Sequence, residues 1–144
     1  MTDIDPLTRP FWEMVGSALL CGSIIGLERQ LRGKPAGIRT GCLVTLGTAT
    51  FISLAESQAI GSPQDVNRVL GQLVTGVGFL GAGVILKSEA GTVQNLTTAA
   101  SIWFAAAIGM AIGFGWYLIA GIATLFSIIV PRLPRLTRKE NQDR

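Results

Sequence analysis

The chain has no histidine, two cysteines and a single tyrosine in 144 residues, and only 15% of its side chains are charged. Each scarcity removes some chemistry. Without imidazole there is no Ser-His-Asp or Cys-His catalysis and no histidine-bearing zinc site. Two separated cysteines cannot build a thiolate metal site. Cys21 and Cys42 fall in different apolar stretches at different depths, which argues against a disulfide and for small packing residues. No nucleophile–base pair is visible, so the expectation is a protein that is not an enzyme and carries no cofactor. The net charge of +3 does not indicate nucleic acid, because the basic residues flank apolar runs instead of forming one patch.

What the chain does have is apolar residues, 49% of the total, gathered into windows of membrane-spanning length that hold almost no charge. The windows run from about Phe11 to Leu31, from Ile38 to Ala55 and from Val69 to Leu86. A further 35 uncharged residues extend from Leu96 to Val130. As one helix they would reach about 53 Å, against a hydrocarbon core of about 30 Å, so they divide into two spans. The natural break is Gly113-Phe-Gly-Trp-Tyr117, giving spans of about 96–113 and 115–131. A single, steeply tilted fourth helix is the lesser alternative. The predicted fold is an all-α polytopic bundle of five transmembrane helices over residues 1–131, followed by a basic tail at 132–144. Residues 1–10 carry Asp3 and Asp5 and show no basic segment with a small-residue cleavage site, so no cleaved leader is expected.

Five spans place Arg29, Arg32, Lys34, Arg39, Lys87, Arg132, Arg135, Arg138, Lys139 and Arg144 on one side, and only Arg9 and Arg68 on the other. The positive-inside rule then puts the amino terminus outside and the tail in the cytoplasm, where its cations meet anionic lipid headgroups.

Glycine is abundant, with 18 residues. Helices in lipid associate by close backbone approach through small residues. Gly22 and Gly26, and again Gly109 and Gly113, are spaced for such contact, while Gly71, Thr75, Gly78 and Ala82 share a face of the third helix. Such faces predict packing within the chain or between copies. The run containing Gly76, Gly78, Gly81 and Gly83 also matches the GxGxxG dinucleotide pattern. It lacks the strand-to-helix context that fingerprint needs. Two readings stay open for it: helix packing, or a broken helix with carbonyls bared to a cavity. Asn95-Leu-Thr97 spells a glycosylation sequon that faces the cytoplasm in this topology.

Polar residues at the membrane boundary form the other notable set. Glu28 and Arg32 are spaced i,i+4 in the favourable order for a helical ion pair. Arg29 shares a stripe with Gly22 and Gly26 and should point into the bundle. The short loop at 33–37 delivers Arg39 to the second span, so Glu28, Arg29 and Arg39 are expected to converge at the cytoplasmic mouth, with a bidentate Arg39–Glu28 contact as the sharpest expectation. Glu28 and Glu56 are weak candidates for a cation ligand.

Four segments, Gly26-Leu-Glu-Arg-Gln30, Gly37-Ile-Arg-Thr40, Gly76-Val-Gly-Phe-Leu-Gly-Ala-Gly-Val-Ile85 and Leu96-Thr-Thr-Ala-Ala-Ser-Ile-Trp103, closely resemble the membrane domain of the MgtC/SapB family across residues 12–130. The resemblance implies a multi-pass protein of the bacterial cytoplasmic membrane, linked to magnesium homeostasis and acting by binding other membrane proteins. It marks Glu28, Arg29, Gln30, Arg39, Thr40, Asn95, Thr97, Thr98 and Trp103 as candidate functional positions. Many longer relatives carry a soluble domain after the last span, where this chain has its basic tail. Virulence-associated members typically have Asn-Thr and a Cys where this chain has Thr97-Thr98 and Phe104, so the expectation is a short SapB-type member. Two functions compete: a non-catalytic regulator binding membrane partners, a second copy among them, and a channel or carrier for magnesium or another cation.

The charge asymmetry carries a direct test. A fluorescent protein fused after Arg144 is expected to fluoresce in the cytoplasm and alkaline phosphatase fused there to be inactive; the reverse pattern would overturn the topology.

Overall fold

The computed structural model describes residues 9–58, 63–87 and 93–133, apart from the side chains of Arg9, Gln58, Leu86 and Lys87. Within them the chain forms α1 (Arg9–Leu31), α2 (Ile38–Gln58), α3 (Pro63–Val84), α4 (Leu96–Gly113) and α5 (Tyr117–Ile129), and α5 runs into a short 3-10 turn at Val130–Arg132. Two-residue strands, β1 (Leu86–Lys87) and β2 (Val93–Gln94), pair antiparallel between α3 and α4. The fold is all-α, and three of its helices are long and apolar enough to cross a membrane: Pro10–Leu31, Ile38–Ser57 and Leu96–Gly113. The expected reading of residues 1–8 and of the tail beyond Leu133 lies outside the described residues.

Two helix ends are set by the same device. After α1, Gly33 takes φ 62°, its N–H donates to Gln30 O at 3.0 Å, and Lys34 N–H donates to Arg29 O at 3.0 Å. After α4, Gly115 takes φ 75°, its N–H donates to Ile112 O at 2.9 Å, and Trp116 N–H donates to Ala111 O at 2.8 Å. This pairing of a left-handed residue with 5→2 and 6→1 bonds satisfies the orphan carbonyls of a helix end and reverses the chain sharply. It divides the long apolar run where the sequence suggests. Gly115 alone makes the turn, however, because Gly113 remains helical and buried.

The third helix begins at Pro63, well before the apolar run at Val69. Proline suits the first helical position and Asp65 favours the positive end of the helix dipole, so the polar residues that precede the apolar run are already helical. Asp65 also pairs with Arg68 at 3.2 Å on the exposed surface.

Packing centres on α2 and α4. A methyl group added at Gly22 would stand 2.7 Å from Cys42 Cα, and one at Gly26 would stand 2.7 Å from the carbonyl carbon of Gly37, so α1 and α2 meet backbone to backbone. Further along the same side of α2, an added methyl at Gly109 would lie 2.9 Å from Thr45 Cα, and one at Gly113 would lie 2.7 Å from Ala49 O. Hydroxyls reinforce these seams. Thr45 Oγ1 donates to Ala18 O at 2.7 Å, and Ser53 Oγ stands 2.9 Å from Met14 Sδ and 3.2 Å from Gly113 O, joining α1, α2 and α4. Cys21 and Cys42 are free thiols, one buried in the α1 core and the other against Ser23 and Leu19.

The glycines of α3 behave differently. A methyl added at Gly71, Gly76, Gly78 or Gly83 would meet nothing within 4 Å, and Gly81 alone faces a neighbour, Ala99, at an ordinary 3.6 Å. The helix is continuous through this run, so the alternative of a broken helix with bared carbonyls is not what the chain adopts.

A substitution pair separates the two kinds of glycine. Gly109→Ala forces a methyl into the backbone of α2 and is expected to cost about 1–3 kcal/mol, read as a lower thermal midpoint in detergent. Gly76→Ala has open space and should leave the midpoint unchanged or raised, since alanine favours helix by about 1 kcal/mol. Equal effects of the two changes would refute the packing assignment.

Candidate functional site

The last turn of α1 carries two charges below the surface. Glu28 is 7% exposed and Arg29 only 3%; Arg29 continues the stripe of Gly22 and Gly26 that meets the rest of the bundle, and Glu28 lies beside it. Ionisable groups at such depth need partners. Glu28 finds its own one turn later, with Oε1 2.6 Å from Arg32 Nε; the approach is too oblique for an aligned hydrogen bond, so the attraction is that of an ion pair. Arg32 reaches further and donates from Nη1 to Pro131 O at 3.2 Å, tying the end of α1 to the end of the chain's described part.

Arg29 has no carboxylate among the described residues. Its Nη2 donates to Thr98 Oγ1, a buried hydroxyl in the first turn of α4, and its Nε is buried without a hydrogen-bond partner. Thr98 is held there by its neighbour Asn95, which takes φ 63° and turns the chain from β2 into α4. Asparagine is among the few non-glycine residues that accept this conformation readily.

Beside this pair lies an open groove of about 1280 Å³. Its walls come from the end of α1, the segment from β2 through the first half of α4, and the last turns of α5. Arg29, Arg32 and Lys34 supply the charge, and Asn95, Thr97, Thr98, Ser101 and Ser127 supply neutral polar groups. Trp103, Phe104, Phe126 and Val130 make the apolar side. No acidic residue lines it among the described residues.

The sequence-derived candidates therefore divide. Arg29, Asn95, Thr97, Thr98 and Trp103 come together at the groove, although Thr97 and nearly half of Trp103 are exposed. Gln30 stands instead against the α1–α2 turn at Gly37, and Thr40 is half-buried away from the groove. The expected Arg39–Glu28 contact is not made. Arg39 is exposed on the first turn of α2 and has no ion pair among the described residues, because Arg32 on the same helix reaches Glu28 first. Gly76, Gly78 and Gly83 lie on open sides of α3, with Gly81 turned to α4. Glu56 lies near the far end of α2, about 26 Å along that helix from Arg39, so it cannot share an ion with Glu28. No group of three or more His, Cys, Asp or Glu side chains that could hold a metal occurs among the described residues. Lys34, Phe126 and Ser127 were not singled out in the sequence. Lys34 carried one readable signal, its place after a glycine that ends a helix.

Helices of membrane-spanning length beside a cationic, half-polar groove define a membrane-type helical bundle. Residues 15–139 match the MgtC family, and the chain belongs to it. It is 44% identical to protein MgtC of Brucella abortus over 121 residues, covering 84% of this chain and 50% of that protein. It is 39% identical to protein SapB of Bacillus subtilis over 137 residues, covering 90% of this chain and 59% of that one. Protein MgtC of Salmonella typhimurium is 45% identical over 109 residues, with 76% of this chain and 46% of the relative covered. The chain thus spans about half the length of the curated relatives it matches. No solved structure matches it.

The Arg29–Thr98 bond predicts an asymmetry between adjacent threonines. Thr98→Val keeps the shape but removes the one side-chain hydrogen-bond partner of a buried cation among the described residues, an expected loss of about 1–3 kcal/mol in unfolding stability. Thr97→Val, at an exposed position, should change it little. Matching losses at both positions would deny Thr98 its special role.

Proposed function

We propose that the protein is a non-catalytic regulator of the bacterial cytoplasmic membrane, multi-pass with its amino terminus outside and its carboxyl terminus in the cytoplasm, acting through membrane partners and linked to magnesium homeostasis. Membership of the MgtC family supports the setting, and the magnesium link rests on that resemblance. The observation that carries the mode of action is the open surface of α3. Gly71 and Gly78 on one side of it, and Gly76 and Gly83 on another, present backbone with nothing within 4 Å, whereas Gly22, Gly26, Gly109 and Gly113 of α1 and α4 are consumed by contacts inside the chain. In lipid such a surface gains nothing from hydrophobicity alone and favours another helix that can approach as closely.

Conduction of magnesium or another cation is the competing reading, and the groove weighs against it. A cation path needs oxygen ligands or negative charge along its wall. Here Arg29, Arg32 and Lys34 line the groove, and Glu28 is engaged by Arg32.

A photo-cross-linking residue at Gly78 in growing cells is expected to capture another membrane protein or a second copy, while the same probe at Ile119, on the exposed face of α5, captures none. Proteoliposomes containing only this protein should show no selective magnesium flux. A selective flux, or equal capture from both positions, would overturn the regulator reading.

A further inference from the structure

The Arg29 residue is nearly fully buried, and among the described residues its Nε has no hydrogen-bond partner and the one side chain it donates to is a neutral hydroxyl. A cation in that position is costly unless an anion comes to it. The chain offers none among the described residues, since the nearest carboxylate, Glu28, is turned to Arg32. The groove on which Arg29 opens adds Arg32 and Lys34 at the same end and no acid. Hydroxyls of Thr98, Ser101 and Ser127 lie in the same walls and can donate to an anion's oxygens.

The shape of the rest limits what the anion belongs to. Away from the charged end the groove is walled by Trp103, Phe104, Phe126 and Val130, and three of these are about half exposed. A free inorganic anion would leave that apolar wall in contact with nothing. An anion carrying hydrocarbon chains would cover it. Basic pockets between transmembrane helices on the cytoplasmic side are known chemistry for acidic lipid headgroups.

We propose that this groove is a specific site for one anionic phospholipid, whose phosphate is held between Arg29, Arg32 and Lys34 while an acyl chain lies along Trp103 and Phe126. The bound phosphate compensates the charge of Arg29 and joins α1, α4 and α5 at one end of the bundle. The proposal rests on the membrane placement given above, which the terminal fusions test separately.

The test uses the purified full chain in detergent, stripped of lipid and then offered phosphatidylglycerol, phosphatidylcholine of the same acyl chains, or inorganic phosphate, with bound species counted by native mass spectrometry. One phosphatidylglycerol per chain is expected, with phosphatidylcholine weaker by about fivefold or more, the weight of one neighbouring charge. Lys34→Gln, in an exposed turn, should weaken phosphatidylglycerol by about fivefold. Arg39→Gln makes the same change in net charge outside the groove and should leave binding unaltered. Equal losses in the two variants would show ordinary surface attraction and overturn the site. Equal retention of the two lipids would do the same, and displacement of the lipid by millimolar inorganic phosphate would make the ligand a free anion instead. Arg29→Gln, if it folds, should abolish the preference between lipids; undiminished preference in a folded variant would remove Arg29 from the site.

Discussion

The close approach of α1 and α4 to successive lengths of one side of α2, with Thr45 met by both, is the constraint on which the rest depends. Gly22, Gly26, Gly109 and Gly113 bring backbones so near that a single added methyl would collide with main-chain atoms, and those contacts fix both the rotation and the depth of three helices. Rotation decides which way the last turn of α1 faces. With Gly26 against Ile38, Glu28 and Arg29 are carried inward and Leu27 and Leu31 outward. The burial of two charges is thus a consequence of helix contact made within the two turns before them.

Once Arg29 is inside, the first turn of α4 must answer it. Thr98 does so because α4 is set against α2 by Gly109 and Gly113, three turns further along the same helix. The polar cluster and the glycine seams are one mechanical unit. The α3 helix stands apart from that unit, touching α4 chiefly through Val77 and Gly81 and leaving its other glycines open. The molecule therefore has a tightly specified core of three helices and one helix with close-approach capacity unused inside the chain.

Local features were legible in the sequence. The five helices follow from apolar run length, the division of the last run from its glycines and aromatics, the inward turn of Arg29 from its spacing to Gly22 and Gly26, and the Glu28–Arg32 pair from i,i+4 spacing. All of these depend on residues within one helix or one turn. The failures concern choices among partners. Arg39 was assigned to Glu28 because the loop brings them near, yet Arg32 is tied to Glu28 by the same helix and need not cross a gap. The glycine run of α3 allowed two readings, and only the path of the backbone decides between an unbroken helix and an opened one. The groove was invisible because its walls come from segments separated by most of the chain, with Arg32 and Pro131 99 positions apart.

That separation has a consequence for how the protein is made. Arg29 is synthesised with α1, but Thr98 lies 69 residues later, and at typical synthesis speeds of about 5–20 residues per second the delay is on the order of several seconds. During that interval the guanidinium has no hydroxyl to bond and its long stem is free to reach the aqueous boundary. The buried arrangement is then a late event in biogenesis. The surface that closes over Arg29 is therefore made well after α1 itself, and the first helix is complete long before the partner that fixes its charged end exists.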